Sequence, residues 1–176
     1  MQALQILDIS AKSIRMELMD PYAAKLNTPE HCRIFQGIGS ELSMNVFTLD
    51  NPDVSLPSYV QYLLNFSADF YPTTLGDAEP DEQIATRQKV AEVRVTLSTL
   101  YRIAEGTAVP EEKVLLQYGQ TNCVLHTWPF WREVLLNACE RMNIPRAAVP
   151  VLPFKDIQKG IADVLKNENG ESSAKS

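Results

Sequence analysis

Two residue pairs in this chain combine types from which catalysis or metal binding is built: Cys123 with His126, and His31 with Cys32. On a helix, a thiol and an imidazole three residues apart share a face and can act as nucleophile and base. That chemistry also needs a group to orient the base and donors for an oxyanion. No Gly-x-Ser/Cys-x-Gly elbow is present to supply them. His31 and Cys32 lack the further ligands of structural zinc, which takes four. With seven glycines in all, the chain holds no Gly-rich phosphate loop. No catalytic, cofactor or metal-binding residue is therefore assigned.

Composition narrows the class further. A chain of 176 residues, 45% of them hydrophobic, can bury the core of one ordinary domain. Its net charge is -6, with 16 basic residues scattered among 22 acidic ones. A nucleic-acid protein instead gathers Lys and Arg on one face to displace counterions from phosphates. Three cysteines without close spacing suit free thiols in a reducing compartment. Met1 to Lys12 does not read as a signal segment, and no run approaches the roughly 18 apolar residues of a membrane span. The expectation is a cytoplasmic protein that does not insert into membranes.

The elements that must position any site follow from periodicity. Ile14, Met16 and Leu18 alternate with Ser13, Arg15 and Glu17, while Leu7, Ile9 and Ala11 have the other parity. That change of parity predicts a bulge near Lys12. A second strand carries Ile34, Ile38, Leu42, Met44 and Val46 on one face, with a kink at Gly37 and Gly39. A third places Val60, Tyr62, Leu64, Phe66, Ala68 and Phe70 together, and a fourth Ala91, Val93, Val95, Leu97, Tyr101 and Ile103. Thr127 reads as an N-cap with Pro129 in the first turn of a helix bearing Trp128, Trp131, Leu135, Ala138 and Met142. A second helix is expected near Phe154, with Ile157, Ile161 and Leu165 on one stripe. A weaker helical turn is expected at Glu111 to Tyr118, and a disordered polar tail over 167–176.

Strands first and helices after define an α+β fold: a four-stranded antiparallel sheet with two helices packed on one face, in a single domain over 1–166. A strand from Lys89 to Ile103 spans about 50 Å at roughly 3.3 Å per residue. A helix from Trp128 to Met142 spans only about 22 Å at 1.5 Å per residue. So little helix leaves apolar sheet surface for other subunits or for a ligand. An acyl-CoA thioesterase-like enzyme also lays a helix on a long antiparallel sheet. Here Glu133 or Glu140 would have to supply its carboxylate, and neither sits in a recognisable motif.

The run Trp128-Pro129-Phe130-Trp131-Arg132-Glu133, then Pro145 and Val149 to Phe154, resembles the signature of the SecB family of export chaperones. Leu4 to Glu17 is similar to the family's first strand, and Cys123 falls where the family also has a cysteine. The resemblance implies a homotetramer built as a dimer of dimers, with long helices sandwiched between sheets. It also implies an ATP-independent holdase that binds unfolded polypeptide in apolar grooves, without catalytic residues or cofactor. Its onward partner would be the SecA motor in export or the antitoxin of a toxin–antitoxin pair.

Ile38, Leu42, Met44 and Val46, with Trp128 and Phe130, are the candidates for a peptide-binding groove; packing in the core or between subunits is the competing role for each. In the family, SecA docks on an acidic patch of the outer sheet face. Carried over one by one, its positions fall on Glu17, which is kept, on Ser13, where the acid is lost, and on Arg94, where the charge is reversed. With Arg15 and Arg102 nearby, this face is not expected to be acidic.

Overall fold

The computed structural model describes residues 4–19, 32–38, 42–48, 57–72 and 81–146. Five strands form one antiparallel sheet: β1 (Leu4–Leu18), β2 (Cys32–Ile38), β3 (Ser43–Thr48), β4 (Ser58–Pro72) and β5 (Ala91–Ile103). Their order is β1-β5-β4-β2, with β3 also paired to β4. The α+β class and the antiparallel sheet are as expected, but the sheet has five strands rather than four. The expected second strand is two. β2 pairs with the far end of β4 (Ile38 opposite Phe66), and β3 with the near end (Ser43 opposite Leu63). Two residues of β4, Leu64 and Asn65, thus span what four residues span on the edge. The excess of two is even, so Ile34 and Met44 keep the same face, which is why alternation read the pair as one element.

Ladder register fixes the inner face. Val60, Tyr62, Leu64, Phe66, Ala68 and Phe70 of β4 lie opposite Tyr101, Thr99, Leu97, Val95, Val93 and Ala91 of β5. All twelve are buried. In β1 the register slips between Ala11 and Ser13, at the expected bulge, and again between Ile6 and Asp8. The second slip returns Leu4 and Ile6 to the inner face.

The helical layer departs most from expectation. α1 (Asp81–Ile84) is one turn. Then α2 (Glu112–Tyr118), a π-helical turn (Gly119–Cys123) and α3 (Val124–Met142) follow one another through residues in right-handed helical conformation. Thr127 is therefore no N-cap. It is buried mid-helix, and its hydroxyl donates back to the carbonyls of Cys123 (2.9 Å) and Val124 (3.1 Å). Pro129 sits inside the helix rather than in its first turn. The helix ends where Asn143 turns left-handed (φ 53°), and the Ile144 N–H reaches the Cys139 carbonyl at 3.0 Å. The expected second helix and polar tail lie outside the described residues.

Aromatic packing joins the layers. The Phe66 ring stacks on Trp131 at 5.5 Å and meets Trp128 at 6.3 Å. Tyr62 and Tyr118 both meet Tyr101 edge-on, at 5.6 and 5.3 Å. The Tyr62 hydroxyl donates to the Leu115 carbonyl at 2.9 Å. From Glu112 to Met142 the helix runs about 46 Å at 1.5 Å per residue, twice the expected length. It matches the strands lengthwise. Its diameter of about 10 Å does not match a sheet four strands wide at about 4.8 Å each. Among the described residues, the apolar surface left uncovered therefore lies along the sheet edges, not beyond the helix ends.

Candidate functional site

The residues with catalytic types are spent on structure. Cys123 is fully buried, its sulfur 2.7 Å from the Thr99 hydroxyl. Burial pushes this thiol up to about 11, so it stays protonated at neutral pH. His126 does not face it as a base; its Nδ1 meets the Tyr101 hydroxyl at 2.8 Å. Cys32 is half-buried and its thiol is likewise pushed up to about 11 by burial, while His31 lies outside the described residues. Glu133 and Glu140 are exposed, and Glu140 pairs with Arg146 at 2.6 Å. Among the described residues, no group of three or more His, Cys, Asp or Glu could hold a metal ion.

Of the groove candidates, the structure brings together those on the inner side of the β3 edge. Leu42, just before β3, packs against the core, and a Cβ on Gly119 would lie 2.5 Å from its Cδ2. Met44 lies opposite Tyr62 and is half-buried; Val46 lies opposite Val60 and is 43% exposed. Apolar surface thus opens outward along β3 from the helix to the solvent. Ile38 ends β2 opposite Phe66, and its side chain is outside what is described. Trp128 is a core residue on Phe66, whereas Phe130, 41% exposed, occupies the helix stripe of exposed Glu133 and Asn137. These two do not join the β3 group. Phe47 was not singled out by alternation; it lies on the outer face, where it stacks on Tyr59 at 5.7 Å. Its signal was the cross-strand register, which alternation alone does not give.

A second uncovered region runs along β1. Ile6 (40% exposed) and Ile14 (46%) face the helix side, opposite Tyr101 and Val95. Both β1 and β3 are sheet edges among the described residues.

The outer face carries charge in balance. Ser13 lies opposite Thr96, Glu17 opposite Glu92, and Arg15 opposite Arg94. Arg94 contacts Asp69 at 2.7 Å and Glu92 at 3.3 Å; Lys89 contacts Glu92 at 3.0 Å and Asp69 at 3.4 Å. Arg15 holds Glu17 at 2.5 Å. The hydrogen bond from Lys89, aided by the charge of Arg94, keeps the Glu92 carboxyl below the ordinary carboxylate range. Each carboxylate here has a cation beside it, so the face offers no acidic patch around Glu17. Asp69 and Lys89 completed this network without being picked out in the sequence; parity places Asp69 outward, but only the β4–β5 register sets it opposite Glu92.

No helix is long and apolar enough among the described residues to cross a membrane. No protein-family model matches the chain, and no curated protein does. Among solved structures, the SecB-like chaperone Rv1957 of Mycobacterium tuberculosis, in complex with a ChAD peptide from the Rv1956 HigA1 antitoxin, superposes with a TM-score of 0.55 at 16% identity. The match covers 85% of this chain and 91% of that one. A protein of unknown function from Streptococcus agalactiae aligns with a TM-score of 0.45 at 9% identity, over 84% of this chain and 97% of that one. A helix laid along an antiparallel sheet, with β1 and β3 at edges among the described residues, thus has the fold of a SecB-like chaperone.

Proposed function

We propose that this protein is an ATP-independent holdase that binds unfolded polypeptide as a homo-oligomer, a tetramer built as a dimer of dimers, in the cytoplasm. The observation that carries the reading is the apolar surface opening along the β3 edge, from half-buried Leu42 and Met44 to Val46 at 43% exposure. Exposed apolar side chains on an open sheet edge can hold an extended chain twice over. The edge offers backbone groups for strand addition, and alternate side chains offer apolar contact. Methionine suits such a surface because its flexible thioether adapts to varied sequences. Residues 1–166 are read as one chaperone domain on this proposal.

The test is light scattering of an aggregating client with and without the purified protein, without ATP. Suppressed aggregation is expected, with micromolar affinity for several unrelated unfolded proteins. Val46→Glu, which buries no charge in the free protein, should weaken that affinity about tenfold, a change of about 1.4 kcal/mol. Unchanged aggregation by a correctly folded protein would remove the holdase reading.

A second destination is favoured by one observation: the similar Mycobacterium tuberculosis chaperone was solved with an antitoxin peptide. Dedication to an antitoxin predicts tight binding of one partner and weak binding of the rest. SecA docking through an acidic sheet face is disfavoured by the cations beside Glu17, Asp69 and Glu92.

A further inference from the structure

Among the described residues, one buried polar side-chain atom has nothing to bond: the amide oxygen Oε1 of Gln36. Other polar groups shut in on the inner face are matched. Thr99 meets the Cys123 thiol, the Tyr62 hydroxyl meets the Leu115 carbonyl, and the Tyr101 hydroxyl meets His126. Register sets Gln36 on this same face, since it lies opposite Ala68 just as Ile34 lies opposite Phe70, both of them buried. An acceptor held there without a donor costs free energy that an aliphatic side chain of similar size would not. The chain's own indoles do not relieve it: Trp128 and Trp131 both pack on Phe66, and neither donates to Gln36.

The missing donor has a definable chemistry. Among the described residues β2 ends the sheet on its side, and Gln36 as a whole is half-exposed, so its amide can be reached from the edge. A strand added to that edge points its backbone N–H groups along the plane of the sheet, whereas Gln36 stands off the inner face. The donor is therefore a side chain. Hydroxyls, amides and a neutral imidazole bring acceptors of their own, which an apolar strip would leave unmatched. Lys and Arg only donate, but they carry a charge that a neutral amide cannot offset. The indole of tryptophan has one N–H, no acceptor and a large apolar body.

We infer that Gln36 is a specificity-determining residue of the client site, its Oε1 accepting the indole N–H of a tryptophan that the client lays beside Ile34 on the inner side of β2. This rests on the holdase reading and names a chemistry that the site selects. Strands β3 and β2 pair with the same side of β4 in turn, Met44 opposite Tyr62 and Gln36 opposite Ala68. An extended client lying along β3 therefore reaches Gln36 about 20 Å further on, at roughly 3.3 Å per residue. An aromatic ring of the same size without the N–H fills the same space and leaves the acceptor orphaned. Selection is thus by the hydrogen bond and not by volume.

The test compares two dye-labelled peptides on the full chain by fluorescence anisotropy. One is a short, unstructured apolar peptide with a single tryptophan. The other carries 3-benzothienylalanine there, whose sulfur replaces the indole N–H at nearly the same size. The wild type should prefer the tryptophan peptide about tenfold. Gln36→Met, of similar length but without the amide, should bind the two alike. It should also unfold at a higher urea concentration than the wild type, because the orphaned acceptor is gone. Equal binding of both peptides by the wild type would overturn this inference and leave the holdase reading standing. Binding of neither, by folded protein, would overturn both. A Gln36→Met chain that keeps the preference would take the acceptor's role from Gln36, and one that unfolds earlier would show that Oε1 is already matched in the free protein.

Discussion

At the scale of single residues, Gly119 sets how closely the helix meets the sheet. A Cβ there would lie 2.5 Å from Leu42 Cδ2 and 2.7 Å from the Tyr62 ring. Leu42 can give way, but Tyr62 is fully buried, wedged against Tyr101 and tied to the Leu115 carbonyl. Gly119→Ala should therefore destabilise the protein by about 1–3 kcal/mol despite glycine's poor helix propensity, as read by chemical denaturation. Thiol chemistry gives a second test. With Cys32 and Cys123 both raised to about 11, an aromatic disulfide reagent at neutral pH should label the native protein slowly and the urea-unfolded protein quickly. Rapid native labelling of Cys123 would contradict its burial. Large aromatics such as Trp131 were readable as core from spacing alone. The role of Gly119 was not, because a close approach is a property of two segments far apart in sequence.

At the scale of elements, outer-face ion pairs link β4 to β5 through Asp69, Lys89, Glu92 and Arg94, while β1 carries its own pair, Arg15 with Glu17. The lowered Glu92 carboxyl means that the folded state binds fewer protons than the unfolded chain near the carboxylate range. Its stabilisation is complete above the unfolded value, about 4.3, and is lost as pH falls through the lower folded value. Stability should therefore drop below about pH 4, and Lys89→Met should blunt that acid sensitivity; an unchanged acid limb in the variant would assign the drop elsewhere. Long strands were legible because a strict two-residue period runs from Val60 to Phe70 in β4. The helix start was not. Its π turn at Gly119–Cys123 shifts the apolar phase, so Leu115 and Trp131 do not fall on one 3.6-residue stripe. Pro129, read as a beginning, is tolerated inside, on an exposed turn where Thr127 already bonds back to the preceding carbonyls.

At the scale of the whole molecule, the long helix among the described residues suffices for the length of the sheet and fails for its width. A helix from Trp128 to Met142 alone would leave apolar sheet surface bare beyond its ends. The structure keeps that surface and moves it to the two flanks, β1 and the β3 edge. Alternation made the sheet and its inner face legible. It could not say which strands lie outermost, since the order β1-β5-β4-β2 comes from long-range pairing. The groove candidates were accordingly half-legible: Leu42, Met44 and Val46 share one flank, while Trp128 belongs to the interior and Phe130 to the far side of the helix.

The seating of Leu42 on Gly119 has a mechanical corollary. The short outer strand is pinned at both ends, by Leu42 where it enters beside Gly119 and Tyr62, and by Phe47 stacked on Tyr59 toward Thr48. Lengthening that glycine by one carbon would press on the pin at the root and leave the one at the tip alone, so the strand should loosen first on the side of the helix.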